Sequence, residues 1–132
     1  MANGKVFRDI LKFNGFRQSF VIAVRGISYL FLYHRNMRII FMIGVAALLL
    51  GFYQKLKGIE LIALCITVTL VFMAEIFNTA VELMMDAITE KYHTKIRLVK
   101  DIAAGIVVIS CLNAVVIGYI LFIRKFFIIP GF

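Results

Sequence analysis

Apolar and polar positions fall along this chain in long blocks. Residues 39–53 (IIFMIGVAALLLGFY) form a first apolar run, short for a membrane crossing, which Met37 and a snorkelling Lys55 extend. A second run stays apolar from Ile59 to Met73 and continues, now carrying carboxylates, to Ile88. The third, residues 102–123 (IAAGIVVISCLNAVVIGYILFI), suffices alone to cross about 30 Å of hydrocarbon. The polar links QKLKG and TEKYHTKIRLVKD separate the runs. Open strands would leave backbone groups unpaired in lipid, so the pattern predicts transmembrane helices over about 37–55, 59–88 and 101–123.

Ahead of the first run, Phe7, Ile10, Leu11, Phe13, Phe20 and Val24 alternate at near-helical spacing with Arg8, Lys12, Arg17 and Arg25. That spacing predicts a basic, aromatic-rich amphipathic helix over about 5–34, lying in the membrane interface, with Gly15 and Gly26 as candidate breaks. The expected fold class is an all-α integral membrane protein: one interfacial helix and three transmembrane helices in a single domain, residues 1–132.

Composition narrows the class. The chain is 63% hydrophobic and 17% charged, where a soluble domain carries about 45–50% and about 25%. Cys65 and Cys111 sit inside apolar runs, without the spacing of a disulfide framework or metal site, and are read as buried, inert thiols. The net charge of +8 is carried beside apolar segments, which points to an anionic membrane surface and not to nucleic acid. Seven basic residues spread over the first 38 positions, with no compact apolar core, predict that the amino terminus is kept in the mature protein.

The basic residues also set an orientation. Seven (Lys5, Arg8, Lys12, Arg17, Arg25, Arg35, Arg38) precede the first span and four (Lys91, Lys95, Arg97, Lys100) lie in the second link. The other side holds four: Lys55, Lys57, Arg124 and Lys125. The amino terminus and the second link are therefore expected in the cytoplasm, and the carboxyl terminus outside.

Charge within the spans changes the picture most. Of seven acidic residues, five fall between Glu75 and Asp101. Glu75, Asn78, Glu82 and Asp86 are spaced three, four and four apart, which places them within about 80° of one helix face. Carboxylates near hydrocarbon are costly and face a bundle interior, a watery cleft or a cation. Two carboxylates seven residues apart, with an amide between, can hold a hard divalent ion and leave a base. The plainer alternative is a polar stripe that only locks helices together.

Beyond the stripe come Tyr92 and His93, then Lys95, Arg97, Lys100 and Asp101. With a helix beginning at the third apolar run, Asp101 would cap it. The free amides, with Lys100 and Arg97, would make a phosphate-binding corner. His93 alone is more often a surface histidine than a catalyst. No GxxxxGK[ST] or GxGxxG loop occurs, so any use of ATP rests on a metal, basic side chains and helix ends.

The run AEIFNTAVELMMDAI, followed by EKYH and VKDIAAG, resembles the signature of the prokaryotic diacylglycerol kinase and undecaprenol kinase family. The likeness covers about residues 14–123 and is most specific at ExxNxxxExxxD and its distance to Lys100-Asp101. It implies a three-span enzyme of the bacterial inner membrane that phosphorylates a lipid alcohol with MgATP, as a homotrimer with shared active sites. By position, Glu75 matches the family's general base, Asn78 an active-site polar residue and Glu82 a metal ligand. Lys100 matches a phosphate-contacting lysine, and Tyr92, His93 and Asp101 match residues around the nucleotide. Asp86 completes the motif without an assigned role.

The chain departs from the family in two places. Where a second metal-ligating glutamate is usual, in a run such as ERNFR, it reads His34-Arg35-Asn36-Met37-Arg38. Imidazole suits magnesium less well, so a site that includes His34 is expected to shift toward manganese or zinc. The family's amino-terminal arginine falls on Gly15, with Arg17 nearby as its counterpart. The RNxR run resembles the Gram-positive subfamily, which favours undecaprenol over diacylglycerol. Two readings of other classes stand beside the kinase: a small oligomeric cation channel lined by the stripe, and a non-catalytic assembly protein in which the stripe drives association.

Overall fold

A computed structural model describes residues 15–88 and 93–127. Its elements are α1 (Phe16–Tyr33), α2 (Arg35–Tyr53), α3 (Ile59–Ile88) and α4 (Thr94–Gly118). A single wide π turn (Tyr119–Ile123) and a short α5 (Arg124–Phe127) continue α4. Three helices, Arg35–Tyr53, Ile59–Ile88 and Thr94–Ile123, are long and apolar enough to cross a membrane. The chain divides into two units, residues 1–35 and 36–132.

In the first unit, α1 runs unbroken through Gly26, so the break expected there does not form. Nothing stands within 4 Å of a Cβ added at that glycine, and its propensity cost of about 1 kcal/mol is too small to end a helix supported on both sides. Gly15 is the residue at which α1 starts; the portion of the expected interfacial helix before it lies outside the described residues. Phe16, Phe20, Ile22, Val24 and Leu32 are all exposed.

In the second unit, α2 ends in a tight reversal. The Leu56 amide donates to the Gly51 carbonyl at 3.0 Å and the Lys55 amide to that of Phe52 at 3.0 Å, the paired bonds of a Schellman cap. Lys55 takes the left-handed position (φ 58°), where glycine is usual, and Gly58 (φ 59°) leads into α3. The reversal folds Leu56 back against Leu64 and Leu121, the buried cluster at this end of the unit. Gly51 is what permits the approach: a Cβ there would stand 2.6 Å from Leu64 Cδ2. Gly44, two turns earlier, meets Val68 Cγ1 in the same way at 2.9 Å.

Three boundaries differ from expectation. The helix α2 spans Arg35–Tyr53 instead of 37–55, because Lys55 leaves helical geometry to form the cap. The helix α4 begins at Thr94 and not at 101, so the polar run TKIRLVK forms its first two turns. The cap is His93, whose Nδ1 accepts from the Lys95 amide at 3.1 Å; Asp101 lies inside the helix and caps nothing. Cys65 and Cys111 are free as expected but exposed, not buried; in a bundle of this kind the apolar side chains face outward as well as inward.

Candidate active site

The stripe lies on α3 as its spacing predicts, and the structure shows what each member touches. Glu75 is only 4% exposed. Its Oε1 accepts a hydrogen bond of 2.9 Å from Asn36 Nδ2 in the first turn of α2. This bond joins residues 39 apart in sequence and fixes a buried carboxylate that would otherwise be costly among apolar neighbours. Buried Thr67, two turns away, satisfies itself on the Ala63 carbonyl at 2.7 Å.

At the far end of the stripe, Asp86 Oδ1 accepts from Lys100 Nζ of α4 at 2.6 Å. The first and last members are thus both bonded across helices. The two between them are not. Glu82 is exposed and meets Asn78 Nδ2 at a long 3.4 Å, while Asn78 Oδ1 is buried with no partner among the described residues. A buried acceptor left unpaired has a cost, and such a group in a folded protein calls for a ligand, an ion or water. The stripe therefore presents a held carboxylate at Glu75, a held cation at Lys100, and between them an exposed carboxylate at Glu82 and a buried, unpaired amide oxygen at Asn78.

The remaining expected residues divide. Asp101 pairs with Arg97 one turn earlier at 3.8 Å, both side chains well exposed. His93 turns one ring nitrogen to the α4 amide, so the free amides sit a full two turns before Lys100 and the corner expected at Lys100-Asp101 is absent. Tyr92 lies outside the described residues. Arg17 stands in the first turn of α1, and His34, extended (φ −114°, ψ 107°), follows its last turn. Both belong to the first unit, whereas the stripe belongs to the second. Among the described residues, no three His, Cys, Asp or Glu side chains gather as a metal cluster.

The sequence reading left two participants without a role. Asn36, passed over inside the RNxR run, holds Glu75; Asp86, left without a role, holds Lys100. The run did mark the right neighbourhood, but no periodicity within one helix reveals a bond to another.

Below Glu75 the surroundings turn apolar. A groove of about 350 Å³ is lined by Ile40, Gly44, Thr67, Val71, Ala114 and Val115 among others. Ile40 lies one helical turn from Asn36, and Val71 one turn from Glu75, so the groove's lining comes within one turn of each partner of the polar pair.

Similarity to known proteins points to a family. The sequence pattern described as prokaryotic diacylglycerol kinase matches residues 21–122. A diacylglycerol kinase of Synechocystis sp. is 37% identical over 101 residues, covering 76% of this chain and 58% of that protein. An undecaprenol kinase of Bacillus subtilis is 35% identical over 112 residues, covering 85% of this chain and 91% of that protein. The chain thus spans little more than half the length of the cyanobacterial relative and nearly all of the Bacillus one.

Proposed function

The chain belongs to the prokaryotic diacylglycerol kinase family, and from that premise we propose that it transfers the γ-phosphate of ATP to a membrane lipid alcohol, foremost undecaprenol. The observation that carries the reading is the stripe whose ends are bonded across helices while, between them, Glu82 is exposed and the buried Asn78 Oδ1 lacks a partner among the described residues. A stripe that served only to join helices would have no reason to leave a buried acceptor in its middle unpaired.

In the proposed reaction, Glu75 takes the proton of the lipid hydroxyl. The hydroxyl oxygen then bonds to the γ-phosphorus as the bond to the bridging oxygen breaks, and ADP leaves. Asn36 fixes the carboxylate in the pose it needs to act, so that less reorganisation precedes transfer. Lys100 offers its ammonium to the phosphates, with Tyr92, His93, Asp101 and Arg17 as further nucleotide contacts. The apolar groove lined by Ile40 and Val71 offers a wall to the lipid tail.

The exposed Glu82 carboxylate and the unpaired Asn78 Oδ1 fit magnesium in donor type. This ion is hard, takes oxygen ligands, and is commonly held by one or two carboxylates together with nucleotide phosphates and water, so no large protein cluster is required. Glu82 and Asn78 Oδ1 would hold it; when bound, it would offset charge on the phosphates. His34, in place of a glutamate, shifts metal preference toward manganese or zinc, and His34→Glu restores preference for magnesium. Unchanged metal dependence in that variant contradicts the assignment.

Exposed aromatic and aliphatic side chains on α1 support its place in the membrane interface. The asymmetry of basic residues supports a cytoplasmic amino terminus and an active site at the inner face of the bacterial inner membrane. A homotrimer with shared sites is the assembly in which the protein acts, to be checked by the mass of the detergent-solubilised particle. Undecaprenol takes precedence over diacylglycerol because of the RNxR run and the nearly full-length match to the Bacillus relative. The test is transfer of labelled γ-phosphate to the two lipids supplied together. A phosphorylated product mainly of undecaprenol supports the reading, and one mainly of diacylglycerol reassigns the substrate.

A further inference from the structure

Resting on the kinase reading above, we propose that Asp86 is a positioning residue that holds the Lys100 ammonium one turn beyond the Asn78–Glu82 pair, ready for the phosphates of the incoming nucleotide. Lys100 Nζ donates to Asp86 Oδ1 at 2.6 Å, joining α4 to α3 across 14 residues of sequence. Asp86 stands one helical turn beyond Glu82 on the same face, so the bond holds the cation at a residue one turn from the exposed Glu82 carboxylate. Left alone, a lysine on its flexible four-carbon stem would sample many positions.

The stoichiometry of the bond favours this role. An ammonium has three N–H donors and no acceptor. Asp86 engages one of them, which leaves two for phosphate oxygens without the first bond being broken. The pair is also exposed, with 37% of the lysine side chain and 66% of the aspartate side chain open. Ion pairs of that exposure add little to folding stability. What this one determines is where the ammonium sits. The Arg97–Asp101 pair, by contrast, runs along α4 itself.

The test compares steady-state kinetics of the full-length protein in detergent, with ATP and undecaprenol, for Asp86→Asn, Asp86→Glu, Lys100→Met and Asp86→Asn combined with Lys100→Met. Loss of a charge-assisted bond that preorganises the cation lowers kcat about tenfold or more in Asp86→Asn. The KM for ATP stays within about twofold, since the lysine still reaches the bound nucleotide. Asp86→Glu regains part of the lost kcat, and the double variant is no slower than Lys100→Met alone, because both changes remove one device. Wild-type kcat in Asp86→Asn, or losses that multiply in the double variant, overturn the proposal while leaving the kinase reading intact. Absence of transfer by the unsubstituted protein overturns both.

Discussion

The two ends of the three-helix unit are held together by different physics. Where α2 turns into α3, the contacts are apolar and close: Gly51 under Leu64, Gly44 against Val68, and Leu56 packed with Leu64 and Leu121. At the opposite end the helices are joined by polar bonds, Asn36 to Glu75 and Lys100 to Asp86. Packing of the first kind is fixed by shape and tolerates little change in volume. Bonds of the second kind fix direction, and leave spare lone pairs and protons that another oxygen can use. The packed end anchors the bundle so that the polar end can present a site.

This contrast makes substitutions at the two ends separable. Asn36→Leu removes the donor that holds Glu75 and lowers turnover by about tenfold to a hundredfold, the scale of a hydrogen bond to a charged group. Measured on protein with an unshifted particle size, a turnover equal to that of the unsubstituted chain would show that Glu75 needs no such support. Gly51→Val acts at the other end. It forces new atoms against Leu64 and Leu56 and costs about 1–3 kcal/mol, read as a lower Tm in detergent. Turnover well below that Tm is expected to change far less. Equal loss of turnover and stability in both variants would erase the distinction between the ends.

The smallest effect is expected at Lys55. A non-glycine residue in the left-handed region costs about 1–2 kcal/mol, part of which glycine gives back through its freer unfolded chain. Lys55→Gly therefore raises stability by up to about 1 kcal/mol, in thermal melts, with turnover unchanged. A lower Tm would mean that the lysine side chain supports the turn more than its backbone strains it.

Much of the fold was legible because apolar length and helical period are written in consecutive residues. The reading that α3 starts at 59 coincides with the start of the helix Ile59–Ile88. The start of α4 was misplaced because hydrophobicity marks the lipid boundary and not the helix boundary: TKIRLVK is polar yet helical, started by a histidine cap. The early end of α2 was hidden for a related reason, since a lysine in the position glycine usually fills gives no warning. For the site, the common face of Glu75, Asn78, Glu82 and Asp86 followed from spacing. Which of them would be bonded and which left open did not, because Asn36 and Lys100 come from other helices.

The most direct test of the central claim compares the unsubstituted protein with Glu75→Gln in one assay of labelled γ-phosphate transfer from ATP to undecaprenol, with particle size measured on the same samples. The account predicts transfer by the first, and a loss of about 10²–10⁴-fold in the second, the scale of a general base, with particle size unchanged. Wild-type transfer by Glu75→Gln, or a variant that loses assembly and activity together, would contradict it.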